Sequence, residues 1–383
     1  MTAPVMILGS GLAAYNVARE FRKLDKTTPL TIISRDHAGF YSKPMLSNAL
    51  SGNKSPEQLL MKSAEKMAEE LSATILPHSK VLAIHVHNQE VLLGDDVRLP
   101  YRDLVLALGA DPIRLPMLGD GASDVLSVND LDDFAHFNRR LANAKTVVIL
   151  GAGLIGCEFA NDLLSRDITP IVIDSASWPL PRLLPQVAGD FLAQKLSAAG
   201  VQFHWGVTAK AVDAEGAGFS VKLSNGMTLQ ADLVLSAVGL RSRTELAAAA
   251  GLHISRGVVV DRHLQTSQAH IYAVGDCAEV AGWILPFVMP IMHQAKALAA
   301  TLAGTTTALK YPAMPVMVKT PACPTVVAPP AIGSVGEWHV ETSENGILAK
   351  FITDDGAMAG FALLGSATAQ RQALTPDLPV VLA

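Results

Sequence analysis

Two glycine-rich turns constrain the fold of this 383-residue chain more than any other feature of its sequence. The first is GSGLAA, from Gly9 to Ala14, and the second is GAGLIG, from Gly151 to Gly156. In such turns the first glycine permits a tight bend, the second lets the backbone approach a pyrophosphate, and the third small residue lets helix and strand pack closely. One such motif is weak evidence, but two in matching context predict two dinucleotide-binding sites.

The flanks of both turns have the context that such sites require. A strand, the turn, a helix and a second strand are predicted in both places, at 2–8, 12–24 and 30–33 around the first turn and at 146–150, 154–165 and 170–174 around the second. Two sites in one chain suggest one dinucleotide that stays bound as a redox relay and one that visits as a hydride source. The chain is therefore interpreted as an electron-transfer flavoenzyme.

The sequence after each unit repeats the same order of elements. Short strands are predicted at 80–100 and 201–240, and an apolar strand ends each series at a glycine, Gly109 or Gly239. This order is typical of duplicated dinucleotide-binding domains. The two halves are therefore interpreted as an internal repeat.

A further strand at 270–274, an alanine-rich helix at 291–302 and a proline-rich tail follow the second half. We predict an α/β protein with two Rossmann-like domains and a small α+β C-terminal domain. The predicted bounds are 1–112 and 236–310 for the two parts of the first dinucleotide-binding domain, 113–235 for the second, and 311–383 for the C-terminal domain.

Composition argues against several classes of protein. A formal net charge of -5 gives no reason to expect binding to nucleic acid or to an anionic membrane. The apolar stretch 281–292 is too short, and too interrupted by prolines, to span a bilayer, so no membrane insertion is predicted. The three cysteines, Cys157, Cys277 and Cys323, form no CxxC pair, which favours a reducing, cytoplasmic location. The histidines show no ligand spacing, and no metal site is predicted.

The residue that closes the second strand of each unit bears on nucleotide choice. Asp174 stands 23 positions after Gly151, where a carboxylate accepts hydrogen bonds from an adenosine ribose and repels a 2'-phosphate. This predicts NADH rather than NADPH at the second site. In the first unit the equivalent residue is Ser34, with Asp36 just beyond, so the ribose contact there stays open.

Several motifs in their order along the chain resemble the FAD-dependent pyridine nucleotide oxidoreductases, whose fold is that of glutathione reductase. They are the first turn, YSKPMLS at 41–47, ALG at 107–109, the second turn followed by Cys157 and Glu158, and IYAVGD at 271–276. The tail motif VKTPACP at 318–324 resembles the rubredoxin reductases of that family.

The resemblance implies a set of cofactor-binding positions. Gly9, Gly11 and Ala14 would hold the FAD pyrophosphate, Lys43 and Pro44 would line the flavin, and Asp276 would bind the ribityl chain. The remaining implied positions, for FAD or for NADH, are Ala13, Ser34, Arg35, Val81, Ala107, Gly109, Gly151, Gly153, Ile155, Gly156, Glu158, Asp174, Gly239, Gly275 and Lys319.

Two of these positions are predicted to be catalytic. In ferredoxin reductase relatives, the glutamate equivalent to Glu158 pairs with a lysine that follows Leu-Ser of the flavin loop, close to flavin N5. This chain has Asn48 there instead. Lys319 in the proline-rich tail is our candidate for the missing cation, so Glu158 and Lys319 are the predicted catalytic pair.

The resemblance implies an NADH:rubredoxin oxidoreductase with tightly bound, non-covalent FAD. Hydride would pass from NADH to N5, and single electrons would then pass to rubredoxin in a transient complex with a monomeric enzyme. An alkane hydroxylase, or oxygen or nitric oxide detoxification, would use the electrons. The absence of CxxxxC and CxxC motifs argues against dithiol exchange. A ferredoxin or flavorubredoxin reductase and a flavin-based redox sensor or binding module remain alternatives.

Overall fold

The computed structural model describes residues 3–383, apart from the side chain of Asp95. Two parallel sheets form the centres of two α/β units, and an antiparallel sheet forms the C-terminal region. The α-helices of these residues are Leu12–Leu24, Pro56–Leu59, Ala64–Leu71, Leu131–Arg140, Leu154–Leu163, Gln186–Ala198, Glu245–Ala249, Val288–Leu302 and Arg371–Leu374.

The first sheet is wholly parallel, and its inner strands are buried on both faces. Its strands lie in the order Ile271–Ala273, Asp103–Leu106, Val5–Leu8, Leu30–Ile33 and Thr74–Leu76. All four residues of the central strand, VMIL, are buried. Short, continuously apolar strands of this kind are typical of sheets that are covered by helices on both sides.

The second sheet repeats the arrangement of the first. Its parallel strands lie in the order Gln202–Trp205, Thr169–Asp174, Thr146–Leu150 and Leu233–Ser236. Leu8 pairs with Ile33 in the first sheet, and Leu150 pairs with Ile173 in the second. Both glycine turns therefore leave the carboxyl end of a central strand, where ligands bind in open α/β sheets.

Antiparallel strands extend both units. In the first unit, a three-stranded antiparallel sheet consists of Val81–His85, Glu90–Leu93 and Arg98–Pro100. In the second unit, the corresponding sheet consists of Ala209–Glu215, Gly218–Leu223 and Thr228–Ala231. The predicted internal repeat is thus present in the structure. Two-stranded ribbons join Ala110–Pro112 to Leu240–Ser242 and Val258–Val260 to Ala278–Val280.

The C-terminal region is dominated by strands. Its antiparallel sheet has the order Val316–Val318, Thr325–Ala328, Met358–Gly365, Gly346–Thr353 and Gly336–Ser343. Its apolar residues, such as Val327 and Leu364, share one core with the helix Leu154–Leu163. The tail therefore packs against the second α/β unit.

Several predicted bounds were wrong by a few residues. The first strand is Val5–Leu8, and Thr2 lies outside the described residues. The helix expected at 291–302 begins at Val288, because a proline such as Pro290 is tolerated in the first turn of a helix. The helix expected to reach residue 165 ends at Leu163 and continues as a 3₁₀ turn. No helix within residues 3–383 has the length and apolar character needed to cross a bilayer.

Candidate functional site

The first glycine turn has the shape of a pyrophosphate cradle. Gly9 has φ +113°, and a Cβ there would overlap the carbonyl oxygen of Ala107. The helix Leu12–Leu24 begins after Gly11 without a side-chain cap, and a Cβ on Gly11 would meet nothing within 4 Å. Uncapped N–H groups at a helix N-terminus favour an anion. These residues therefore fit the pyrophosphate of a dinucleotide.

The far end of this cradle is closed by a small hydroxyl–carboxylate network. Ser34 donates to Asp36 at 2.7 Å, and Ser10 donates to the same oxygen at 3.0 Å. These hydrogen bonds hold the pKa of Asp36 below its usual value, although burial opposes them. Arg35 is largely exposed and lies 3.7 Å from Asp111. This end of the site therefore offers Asp36 as an acceptor that stays charged.

Val81 lies close to Ser34, because a backbone hydrogen bond joins the segment before Val81 to Ser34. The Ser79 amide donates to the Ser34 carbonyl at 2.7 Å, and Val81 begins the next strand two residues later. The structure therefore brings Val81, which was predicted only as a cofactor-binding residue, close to Ser34 at the end of the second strand.

Gly275 and Asp276 face the start of the first helix. Gly275 has φ +75°, and a Cβ on it would lie 2.8 Å from the Cβ of Ala13. Its amide donates to the side-chain oxygen of Gln294 at 2.6 Å. Burial raises the pKa of Asp276. A carboxylate here therefore gains from a nearby cation or from a ligand that donates to it.

Lys43 is the cation on that side. Its Nζ lies 4.0 Å from Asp276 and donates to Asn129 at 2.7 Å. Burial lowers the pKa of Lys43. Pro44 stands in the first turn of the 3₁₀ helix Lys43–Asn48, where its fixed φ is tolerated. The loop predicted to line the flavin is thus anchored to the segment that leads into the second α/β unit.

Gly109 lies between the strands Asp103–Leu106 and Ala110–Pro112, beside an arginine. It has φ +72°, and a Cβ there would lie 3.6 Å from Nη1 of Arg243. Arg243 donates to the Leu108 carbonyl at 2.8 Å and from Nε to Asp111 at 2.8 Å. Sequence reasoning missed Arg243, which ties the two parts of the first unit together.

The second glycine turn has the same geometry as the first. Gly151 has φ +102°, and a Cβ there would lie 2.9 Å from the carbonyl oxygen of Ala237. A Cβ on Gly156 would overlap the Gly151 carbonyl, so helix and strand could not pack as they do. The helix Leu154–Leu163 begins after Gly153 without a side-chain cap. A second pyrophosphate fits here for the same reasons as in the first turn.

Ile155 and Gly239 lie at the rim of the second turn. Ile155 is 40% exposed although it is apolar, so it is free to contact a ligand. Gly239 has φ +114°, and its carbonyl accepts the Ile113 amide at 3.0 Å. Both positions are consistent with a nucleotide that lies along the edge of the sheet.

Asp174 has a structural role besides the predicted one. One carboxylate oxygen accepts the amide of Ala152 at 2.6 Å, and the other accepts the amide of Ala176 at 2.7 Å. The residue thus holds the glycine turn in place from the end of its strand. A ribose at this position would use the lone pairs that the backbone leaves free.

Glu158 and Lys319 come together although they are 161 residues apart. Glu158 is 1% exposed, and the Lys319 ammonium pairs with its Oε2. The Lys319 backbone amide donates to Oε1 at 2.9 Å, and the Ser47 hydroxyl donates to Oε2 at 2.5 Å. Lys319 also contacts Ser47 at 2.9 Å. We call Ser47, Glu158 and Lys319 the junction cluster, since each comes from a different part of the chain.

The surroundings of the three cysteines do not favour dithiol exchange. All three lie buried, and none is in a disulfide within the described residues. Burial raises the pKa of Cys277 to about 11 and also raises the pKa of Cys157 and Cys323. A thiol is a poor nucleophile under these conditions.

Comparison with known proteins identifies the family. The family model described as pyridine nucleotide-disulphide oxidoreductase matches residues 3–301, and a rubredoxin binding C-terminal domain model matches residues 308–378. The chain therefore belongs to the pyridine nucleotide-disulphide oxidoreductase family. Membership implies the use of FAD and of a nicotinamide nucleotide. The predicted α/β fold class is confirmed by the same match.

Individual relatives show which members of the family this chain is similar to. The rubredoxin-NAD(+) reductase of Alcanivorax borkumensis is 48% identical over 380 residues, 99% of each chain. The protein of the same name from Acinetobacter baylyi is 49% identical over 387 residues, 98% of each chain. Among solved structures, a ferredoxin reductase from Rhodopseudomonas palustris is 28% identical with a TM-score of 0.89, covering 100% of this chain and 96% of that one.

Proposed function

We propose that the chain is an FAD-dependent NADH:rubredoxin oxidoreductase. The observation that carries the proposal is the junction cluster. A tail segment that matches a rubredoxin-binding model supplies Lys319 to the carboxylate beside the second glycine turn. The two relatives that are 48% and 49% identical to this chain are both named rubredoxin-NAD(+) reductase, whereas relatives named nitric oxide reductase FlRd-NAD(+) reductase are 35–36% identical. Rubredoxin is therefore the proposed acceptor, and FAD is the tightly held, non-covalent cofactor.

When bound, the flavin supplies the chemistry that accepts a hydride from NADH and releases its two electrons singly. The residues around it would bind the flavin, orient the nicotinamide and tune the reactivity of flavin N5. Gly9, Gly11 and the helix Leu12–Leu24 would hold the FAD pyrophosphate, and Asp276, beside Lys43, would accept a hydrogen bond from the ribityl chain. Gly151, Gly153 and Gly156 would hold the pyrophosphate of NADH at the start of the helix Leu154–Leu163. A charged cluster beside the flavin ring affects how readily the ring takes up negative charge.

Stopped-flow mixing tests the function. The yellow protein is mixed first with NADH and then with rubredoxin. We expect loss of the flavin absorbance in the first step and its recovery in the second. Ferredoxin and flavorubredoxin are run as parallel acceptors. Faster recovery with either one would assign that acceptor instead, and flavin that is reduced without turnover of any acceptor would favour a redox sensor.

Asp174→Asn is expected to weaken the preference for NADH. Loss of the negative charge removes its repulsion of a 2'-phosphate, so the ratio of kcat/KM for NADH over NADPH should fall by about tenfold or more. Steady-state rates with both nucleotides measure the ratio. Asp36→Asn is the matched control, because Asp36 lies at the corresponding end of the first turn. An unchanged ratio in Asp174→Asn would contradict the assignment.

Complex formation with rubredoxin is proposed to be brief and steered by charge. Redox encounters of this kind bury little surface, and electrostatics sets their association rate more than their affinity. We expect the second-order rate of electron transfer to rubredoxin to fall as salt is added, while flavin reduction by NADH changes little. A rate that is independent of ionic strength would remove the electrostatic part of the proposal.

Three further properties belong to the same proposal. The domains divide at the predicted bounds, with 113–235 inserted between 1–112 and 236–310 and followed by 311–383. The enzyme acts as a monomer in the cytoplasm, where buried, unpaired thiols such as Cys157 are expected. Its electrons serve an alkane hydroxylase or the detoxification of oxygen or nitric oxide.

A further inference from the structure

The helix Leu154–Leu163 carries two buried carboxylates on one face. Glu158 and Asp162 are each 1% exposed and stand four residues apart, so their side chains lie one above the other. Glu158 belongs to the junction cluster. Asp162 is not accounted for by the proposed chemistry, although a buried charge is costly unless its oxygens are satisfied.

Asp162 is satisfied by the backbone of the segment 41–51, which we call the flavin loop. Its Oδ2 accepts the Leu50 amide at 2.9 Å, and its Oδ1 accepts the Ser51 amide at 2.8 Å. Among the described residues, no lysine, arginine or histidine forms an ion pair with it within 4.0 Å. Hydrogen bonds to a charged acceptor are stronger than neutral ones. The two amides are therefore a firm attachment of this loop to the helix.

The attachment follows in sequence directly after the residues that are proposed to face the flavin. Leu50 and Ser51 follow the 3₁₀ helix Lys43–Asn48, which carries both Lys43 and Ser47. The same α-helix also receives the tail, because Asn161 accepts the Ala322 amide at 3.0 Å. One helix thus holds the flavin loop through Asp162 and the tail through Asn161, within one turn of Glu158.

We infer that Asp162 is a positioning residue for hydride transfer, a role that rests on the proposed function. It fixes the flavin loop to the helix Leu154–Leu163, so that the side chains of Ser47, Glu158 and Lys319 keep their positions relative to one another. It also places a negative charge beside the loop; the nearby cation Arg166 binds the Leu50 carbonyl at 3.4 Å and forms no ion pair with Asp162 within 4.0 Å. Loss of the attachment therefore loosens the loop, and loss of the charge makes the bound flavin easier to reduce.

Asp162→Asn is the first test, because it keeps the shape of the side chain and removes its charge and one acceptor. Asp162→Glu keeps the charge and displaces the carboxylate. The matched control is Asp232→Asn. One oxygen of Asp232 accepts the amides of Lys145 at 2.7 Å and Thr146 at 2.9 Å. These amides lie at the amino ends of the second sheet, away from the glycine turn.

Three measurements on the FAD-loaded enzyme separate positioning from stability. Amide hydrogen exchange of a peptide covering residues 49–53 should be about tenfold faster in both Asp162 variants. The limiting rate of flavin reduction should fall about tenfold in both, with little change in the dissociation constant for NADH. The midpoint potential should become more positive in Asp162→Asn and stay near that of the wild type in Asp162→Glu.

The control decides how these results are read. Asp232→Asn should lower the unfolding temperature without changing loop exchange, potential or reduction rate. Wild-type exchange at 49–53 together with a wild-type reduction rate in Asp162→Asn would overturn the inference, and if that variant is recovered unfolded, Asp162→Glu gives the same decision. A wild-type enzyme that NADH does not reduce would instead overturn the proposed function, and loop exchange would still report on Asp162.

Discussion

Replacing Gly9 by alanine is expected to yield a protein that is recovered without FAD. An alanine rarely adopts φ +113°, and its Cβ would overlap the carbonyl oxygen of Ala107. That carbonyl cannot move away easily, since the Ala107 amide is bound to the Leu8 carbonyl at 2.9 Å. Backbone strain alone costs about 1–3 kcal/mol. The ratio of visible flavin absorbance to protein absorbance should fall to about a tenth of the wild-type value or less.

Two other glycines make this result specific. Gly94 has no atom within 4 Å of an added Cβ, so Gly94→Ala should retain FAD fully. Gly11 has φ -73° and equally open surroundings within the protein. Gly11→Ala should therefore fold with wild-type stability as apoprotein and still bind FAD more weakly, because only a ligand would meet the new methyl group. A fully yellow Gly9→Ala protein would contradict the assigned cradle.

The sequence predicted those parts of the fold that depend on local requirements. The two glycine turns were found because a positive φ and a close approach of the backbone restrict a position to glycine, as at Gly9 and Gly151. The central strands were found because strands that are buried on both faces read as apolar runs. Bounds were less secure, since Val288 and Pro290 begin a helix that the sequence alone placed three residues later.

The site was harder to predict because its contacts join distant residues. Ser47 and Glu158 are 111 residues apart, and Asp162 binds a loop 112 residues before it. A helix pattern shows which residues share a face, but not which element lies opposite. Lys319 was reached only because Asn48 replaces the lysine of the related enzymes. One feature of the sequence could have indicated Asp162, namely its spacing of four residues from Glu158 on a largely apolar helix.

Lys319→Ala is expected to slow flavin reduction by NADH about 100-fold, the usual cost of removing one preorganised charged group from an active site. The Glu158 carboxylate would stay buried and keep only the Ser47 hydroxyl and the Lys319 backbone amide as donors. Removing one partner of a buried ion pair costs about 3–5 kcal/mol. Because the Lys319 side chain is 27% exposed, the lower end of that range is expected in chemical unfolding.

A matched surface pair gives the control for charge removal. Lys222 lies 2.8 Å from Asp213; the lysine side chain is exposed and the aspartate side chain is half-buried. Such exposed pairs add little to stability, so Lys222→Ala should change neither the stability nor the rate of flavin reduction measurably. Lys319→Arg keeps the charge and should retain part of the rate.

Stability and chemistry at the junction cluster separate in a double-mutant cycle. Glu158→Gln combined with Lys319→Met removes both charges, so no unpaired buried charge remains and most of the lost stability should return. The rate of flavin reduction should stay low, because neither charged group is present to act on the flavin. Recovery of the rate together with stability would mean that the pair only holds the domains together. Unchanged rates of both reduction and reoxidation in Lys319→Ala would exclude Lys319 from the chemistry.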